Sequence, residues 1–201
     1  AKKILDENGY KIPIVTTLHG TDITLVGNHP FYKPAVTFSI NKSDFVTCVS
    51  NSLRDDTREF FGIKREIEVI PNFVDIEKYG KKHLLCERNM IAQGDEKIIV
   101  HISNFRPLKR IIDVLKIFSR ISKKINSKLI MVGDGPDKKK AKDFLRKNDL
   151  KNKVIFLGKT NEVDEILCSS DLFLLPSEKE SFGLAALEAM ALKIPVISSN
   201  V

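Results

Sequence analysis

Short apolar runs recur along this chain, and each is followed by a polar loop and then by a stretch with helical spacing. Residues 12–18, 44–49 and 66–70 read as strands, the first of them buried. Helices are predicted over 31–42 and from the capping Ser50 to about Phe61, where Gly62 stops the second. A further series places strands at 97–102, 128–132, 154–157 and 172–175, with a last one from Ile194. Helices are expected between them, over 111–125, 137–147 and 162–169. Strand–helix–strand order of this kind implies an α/β chain with parallel sheets covered on both faces. Pro71-Asn-Phe-Val-Asp75 interrupts the pattern, and a polar, Lys-rich stretch and a helix over 84–93 follow. The boundary between domains is placed there, giving segments 1–75 and 76–201.

Open parallel sheets bind ligands beyond the carboxyl ends of their strands. The chemically loaded loops all fall at such ends: His19-Gly-Thr-Asp22, Ser50-Asn-Ser52, residues 104–110, Gly133-Asp-Gly135, Gly158-Lys-Thr160 and the loop of Glu180. The last is the most specific. The run 172–175 ends at Pro176, and a helix opens near Phe182 or Gly183. A helix start leaves N–H groups without intrahelical partners and carries partial positive charge, which suits a phosphate or pyrophosphate. Ser181, Phe182, Gly183 and Leu184 supply those N–H groups, and Gly183 permits close approach. Glu180 precedes the helix and Glu188 lies two turns into it, so one carboxylate can meet a sugar hydroxyl and the other a ribose diol. An ordinary helix start with two solvated acids is the alternative.

Composition narrows the classes. The formal net charge is +7, but the lysines are spread over several predicted helix faces. No arginine-rich arm or aromatic-interleaved basic strand points to nucleic acid. The excess charge fits a substrate carrying phosphates or carboxylates, and a solvated basic face is the plainer alternative. No apolar run reaches the length of a membrane helix. Cys48, Cys86 and Cys168 have no metal-ligand spacing, and the odd count suggests reduced thiols in a cytoplasmic protein. No Asp-x-Asp triplet is present, so no divalent metal and no other cofactor is expected. Arg106 and Lys109, beside Arg110, are the cations that would neutralise a pyrophosphate. A basic loop capping a helix is the alternative reading of these three. His19, Gly20, Thr21 and Asp22 form a polar tetrad suited to hydroxyls or carboxylates, or a turn with a capping Asp. Gly133 opens a turn sequence, and a turn is all that the local physics requires of it, while Gly158 has a plain strand end as its alternative.

The spacing from Glu180 to Glu188 at a strand-to-helix junction resembles the donor site of the retaining nucleotide-sugar glycosyltransferases of family 4. The likeness extends from Thr16 through Val201. It implies the GT-B fold, in which two Rossmann-like parallel-sheet domains face a cleft. Segment 1–75 would then be the C-terminal part of the acceptor domain, and 76–201 an incomplete donor domain. By the same resemblance Glu180 contacts the donor sugar, Glu188 holds the nucleotide ribose, and His19 lies near the reacting carbon. Gly133 and Gly158 would lie near the base or donor sugar, the backbone at Gly158 against a uracil. The family pattern has an Arg five residues before its Lys, whereas here that place holds Asn104 and Arg106 lies three before Lys109. The stretches 18–24, 44–52, 70–75 and 101–110 narrow the likeness to a branch that opens bacillithiol biosynthesis. That branch uses UDP-N-acetylglucosamine, a co-substrate rather than a cofactor, and a small dianionic acceptor, L-malate. Asn51 and Arg54, at a helix start, are candidates for the acceptor's carboxylates. The chain starts at Ala1 and ends just after a strand-like run, so it is expected to be truncated at both ends and inactive alone. A different acceptor, such as a lipid-linked or polysaccharide sugar, and a non-catalytic nucleotide-sugar binding module stay open, as does a homo-oligomeric state.

Overall fold

The computed structural model describes residues 2–21, 23, 27, 29–80 and 88–201. The chain divides into two compact units, residues 1–72 and 73–201.

In the first unit, helix α1 (Lys2–Glu7) precedes strand β1 (Val15–Leu18). Helix α2 (Lys33–Lys42), strand β2 (Phe45–Cys48), helix α3 (Asn51–Phe61) and the short strand β3 (Glu68–Val69) follow. The strands lie parallel in the order β1-β2-β3. Each helix boundary has a local cause. Ser50 is extended and its Oγ accepts from the Leu53 N–H at 3.1 Å, while Gly62 closes α3 at φ 65°. Arg65 ends α2 from a distance, donating to the carbonyls of Ile40, Asn41, Ser43 and Asp44. The expectation of a buried strand over 12–18 needs correcting. The strand is confined to 15–18, Val15 is 60% exposed, and only Leu18 is buried. An apolar run reports β propensity, but β1 is the edge of this sheet among the described residues, and little of the unit covers it.

The second unit opens with helices α4 (Ile76–Gly80) and α5 (Arg88–Ile91). Of the helix predicted over 84–93, residues 84–87 lie outside the described residues. Then come β4 (Lys97–Ile102), a single 3₁₀ turn at Pro107–Lys109, and α6 (Ile111–Ile121), which stops short of the predicted residue 125. Next follow β5 (Ser127–Val132), α7 (Lys138–Lys147) and β6 (Val154–Gly158). The unit finishes with α8 (Val163–Cys168), β7 (Leu172–Leu175), α9 (Leu184–Ala191) and β8 (Val196–Ser198). All five strands are parallel in the order β6-β5-β4-β7-β8.

That order positions the site. The chain winds outward from β4 to β5 and β6, then returns and lays β7 on the other side of β4. The direction of winding reverses between β4 and β7, which opens a crevice beyond their carboxyl ends. Both faces of the sheet are buried. Ile99, Leu129 and Met131 pack under α6 and α7 with Val114, Leu115 and Phe118. Ile98, Val100, Ile130 and Phe173 form the opposite layer with Leu167 and Ala189. Arg88 braces the amino-terminal end of the sheet, pairing with Asp171 at 2.9 Å and donating to the Ser169 and Glu96 carbonyls. Cys48 is a buried free thiol, whereas Cys168 is disulfide-bonded, so the reading of three reduced thiols does not hold. Disulfide formation depends on Cα separation, which sequence spacing does not report. No helix among the described residues is long and apolar enough to cross a membrane.

Candidate active site

Two loops leave the crevice between β4 and β7. The first, residues 103–110, is held in an unusual path: Phe105 and Arg110 adopt φ 41° and 51°, the left-handed region that non-glycine residues avoid. Phe105 is 0% exposed, and that burial anchors the strained turn. Gly133 makes room for it, since a Cβ there would lie 1.8 Å from the Ser103 carbonyl oxygen. The Gly133 N–H donates to the Gly158 carbonyl at 2.7 Å, so the two glycines predicted to line a donor stitch the ends of β5 and β6 together. The second loop runs from Pro176 to Gly183, which caps α9 at φ 81°.

The loops meet through side chains. Lys109 Nζ donates to Glu180 Oε1 at 2.6 Å, and the Ser177 hydroxyl donates to the same oxygen at 2.7 Å. Ser177 is itself fixed, because its carbonyl accepts from the Ser199 hydroxyl. The backbones are joined as well, with the Glu178 N–H donating to the Leu108 carbonyl at 2.7 Å. Glu180 Oε2 accepts no hydrogen bond from a described residue and is not sealed off from solvent. A lysine ammonium has three donor hydrogens, so Lys109 can hold Glu180 and still present hydrogens to an anion. These contacts bring the loop of Lys109 and the loop of Glu180 together beyond β4 and β7. Arg106 stands half-buried at the head of the 3₁₀ turn, and Arg110 turns instead to Asp113 at 2.7 Å.

At the start of α9, Ser181, Phe182 and Gly183 are half-buried and Leu184 is 41% exposed. Glu188 is half-buried one turn beyond Leu184. It is engaged by Tyr79 of α4, whose hydroxyl bonds to the carboxylate. Burial first, then the charges of Glu188 and Asp164, raise the Tyr79 phenol above its ordinary range, so it stays a donor. Sequence reasoning missed Tyr79 and Ser177. Nothing in the spacing around either signals a carboxylate partner.

Beneath the crevice lies His101, 0% exposed at the end of β4. Its Nδ1 is 2.8 Å from the Leu174 carbonyl oxygen and its Nε2 is 2.8 Å from Ser103 Oγ. Burial, reinforced by the Lys109 charge, pulls its pKa from 6.5 to about 4, against the opposing pull of the Leu174 carbonyl and Glu180. The ring is neutral near pH 7, and a carbonyl can only accept, so Nδ1 carries the proton.

In the first unit, His19, Gly20 and Thr21 follow β1, and Asn51 and Arg54 lie in the first turn of α3, which follows β2. Leu18 is in register with Cys48, so both groups occupy neighbouring carboxyl ends of one sheet. His19, Thr21 and Asn51 are exposed, and Arg54 pairs with Asp55 at 2.9 Å. Asp22 lies outside the described residues.

This arrangement has known counterparts. Residues 87–201 match the family described as glycosyl transferases group 1, and residues 2–78 match glycosyltransferase family 4. The chain is 43% identical over 194 residues to N-acetyl-α-D-glucosaminyl L-malate synthase of Bacillus anthracis, covering 96% of this chain and 51% of that protein. It is 29% identical over 182 residues to an Escherichia coli UDP-Gal:α-D-GlcNAc-diphosphoundecaprenol α-1,3-galactosyltransferase, covering 85% of this chain and 46% of that one. The chain thus spans about half the length of the curated relatives it matches. Among solved structures, Anabaena HepE in complex with UDP and glucose superposes with a TM-score of 0.83 at 21% identity, covering 94% of this chain and 53% of that one. WaaG, a glycosyltransferase of lipopolysaccharide biosynthesis, gives 0.78 at 18% identity, over all of this chain and 62% of that one. With its parallel sheets, its switch-point crevice and these matches, the chain belongs to the family 4 glycosyltransferases and has the GT-B fold.

Proposed function

We propose that the protein of which this chain is part transfers N-acetylglucosamine from UDP-N-acetylglucosamine to L-malate, with retention of the α configuration, and so opens bacillithiol biosynthesis. The observation that carries the reading is the Lys109–Glu180 pair spanning the switch point beside the start of α9. The relative named for this reaction, at 43% identity, supports the choice of donor and acceptor.

In this reading the diphosphate lies against the N–H groups of residues 181–184, with Lys109 and Arg106 neutralising it. Glu188 holds the ribose diol, and Glu180 orients the sugar through Oε2. The bond from the anomeric carbon to the diphosphate oxygen breaks, UDP leaves, and positive charge develops on the sugar ring. The malate hydroxyl attacks from the face that UDP vacates, and the leaving phosphate accepts its proton. No protein base is required, and Glu180 need not be a covalent nucleophile. On the first unit, His19, Gly20, Thr21, Asn51 and Arg54 are the candidates for contacts to the acceptor. The cations replace a divalent metal, so a chelator leaves turnover unchanged.

The test uses the full-length protein with UDP-N-acetylglucosamine, following UDP release. Release that depends on L-malate supports the proposal. Release only with a lipid-linked or polysaccharide sugar assigns another acceptor, and nucleotide-sugar binding without turnover makes the site a binding module.

A further inference from the structure

His101 occupies a position where its strand neighbours are Val100 and Ile102, yet it is a fully buried polar ring. Burying an imidazole costs free energy unless both nitrogens are bonded. Here both are, and their partners lie on opposite sides of the switch point. The Phe105 N–H points to Ser103 Oγ at 3.3 Å. The Ser103 hydroxyl donates to Nε2, and Nδ1–H donates to the Leu174 carbonyl at the end of β7. A chain of hydrogen bonds thus runs from the strained loop, through the ring, into the strand that launches Glu180. The ring also lies against Phe105, with centroids 6.4 Å apart and planes inclined by 25°. The charges that face it are Lys109 and Glu180, the pair the loops bring together.

We propose that His101 is a positioning residue: it ties the carboxyl ends of β4 and β7 together and so holds Lys109 and Glu180 in register for the donor. The proposal rests on the transferase reading above. His101 touches no substrate. It acts on the loop that Ser103 and Phe105 begin, and a leaving-group cation displaced by a fraction of an ångström loses transition-state contact before it loses ground-state affinity.

The experiment takes the full-length protein as wild type and as His101→Leu, His101→Asn, Ser103→Ala and Lys109→Ala. It measures kcat, KM for UDP-N-acetylglucosamine, UDP affinity by calorimetry and thermal melting. His101→Leu and Ser103→Ala are expected to lower kcat about tenfold or more while UDP affinity changes by less than about threefold. His101→Asn keeps a donor near the place of Nδ1 and recovers part of the loss. ¹⁵N spectra of the wild type should show the Nδ1-protonated tautomer near neutral pH. Folded Ser103→Ala protein with wild-type kcat overturns the proposal, as does an Nε2-protonated ring, and Ser103→Ala decides if His101→Leu fails to fold. If Lys109→Ala is impaired and the His101 and Ser103 variants are not, only the positioning role falls. If Lys109→Ala turns over normally, the transferase assignment of the site falls with it.

Discussion

Lys109 and Glu180 are each largely withdrawn from solvent, with side chains 18% and 16% exposed, so the bond between them is stronger than a surface pair. Their roles separate in kinetics. In the proposed reaction Lys109 meets charge that grows as UDP departs, so Lys109→Ala should lower kcat by about a hundredfold, more than it weakens UDP binding. In the same proposal Glu188 meets the ribose in ground and transition state alike, so Glu188→Ala should weaken UDP binding about tenfold or more in calorimetry. Normal behaviour of both variants would remove the site assignment. His101 adds a pH signature. Its folded pKa of about 4 lies below the ordinary 6.5, so between those values the unfolded chain binds the extra proton. Its stabilising contribution is therefore fully present above about pH 6.5 and is lost as pH falls toward about 4. The span corresponds to a contribution on the order of 3 kcal/mol. Chemical denaturation from pH 7 to 4 should show this slope, and His101→Leu should flatten it. Asp171 acts in the same sense at lower pH. Burial pushes its carboxyl up, but the Ile98 N–H and Arg88 outweigh that and hold it below the ordinary range.

At the scale of elements, the helices are held by contacts their own sequences do not contain. Arg65 reaches four carbonyls around the end of α2 and the turn into β2. These are charge-assisted bonds to groups that a helix terminus leaves without partners. Arg65→Ala should cost about 2 kcal/mol in urea denaturation, with Arg65→Lys recovering little because an ammonium cannot fork across them. In the second unit α4 packs on α9 and brings Tyr79 to Glu188. Tyr79→Phe keeps the packing and removes the hydrogen bond. UDP affinity should fall several-fold in calorimetry with melting almost unchanged, and an unaltered affinity would show that Glu188 needs no such brace.

At the scale of the whole chain, the net charge of +7 on these 201 residues implies an attractive field for a small dianion. Raising salt from about 0.1 M to about 1 M shortens the Debye length from ~10 Å to ~3 Å. KM for L-malate should rise several-fold over that range while kcat moves little; an acceptor KM indifferent to salt would count against a charged acceptor. Much of this was legible beforehand. Strand β4 falls on the predicted 97–102, Ser50 and Gly62 bound α3 as their residue types require, and α9 opens one residue after Gly183. These are local outcomes of periodicity, capping and backbone freedom, and local sequence determines them. The parallel α/β class and the gathering of the loops at the strands' carboxyl ends follow from the same order. What tertiary structure alone decided is partnership. Lys109 and Glu180 lie 71 residues apart, and His101 and Leu174 lie 73 apart. They meet only because β7 passes over β5 and β6 to pair with β4, and no local interaction reports which strands will be neighbours. Strand adjacency is set by burial of the whole sheet between its helical layers, so the site's residue types were written in the chain and their contacts were not.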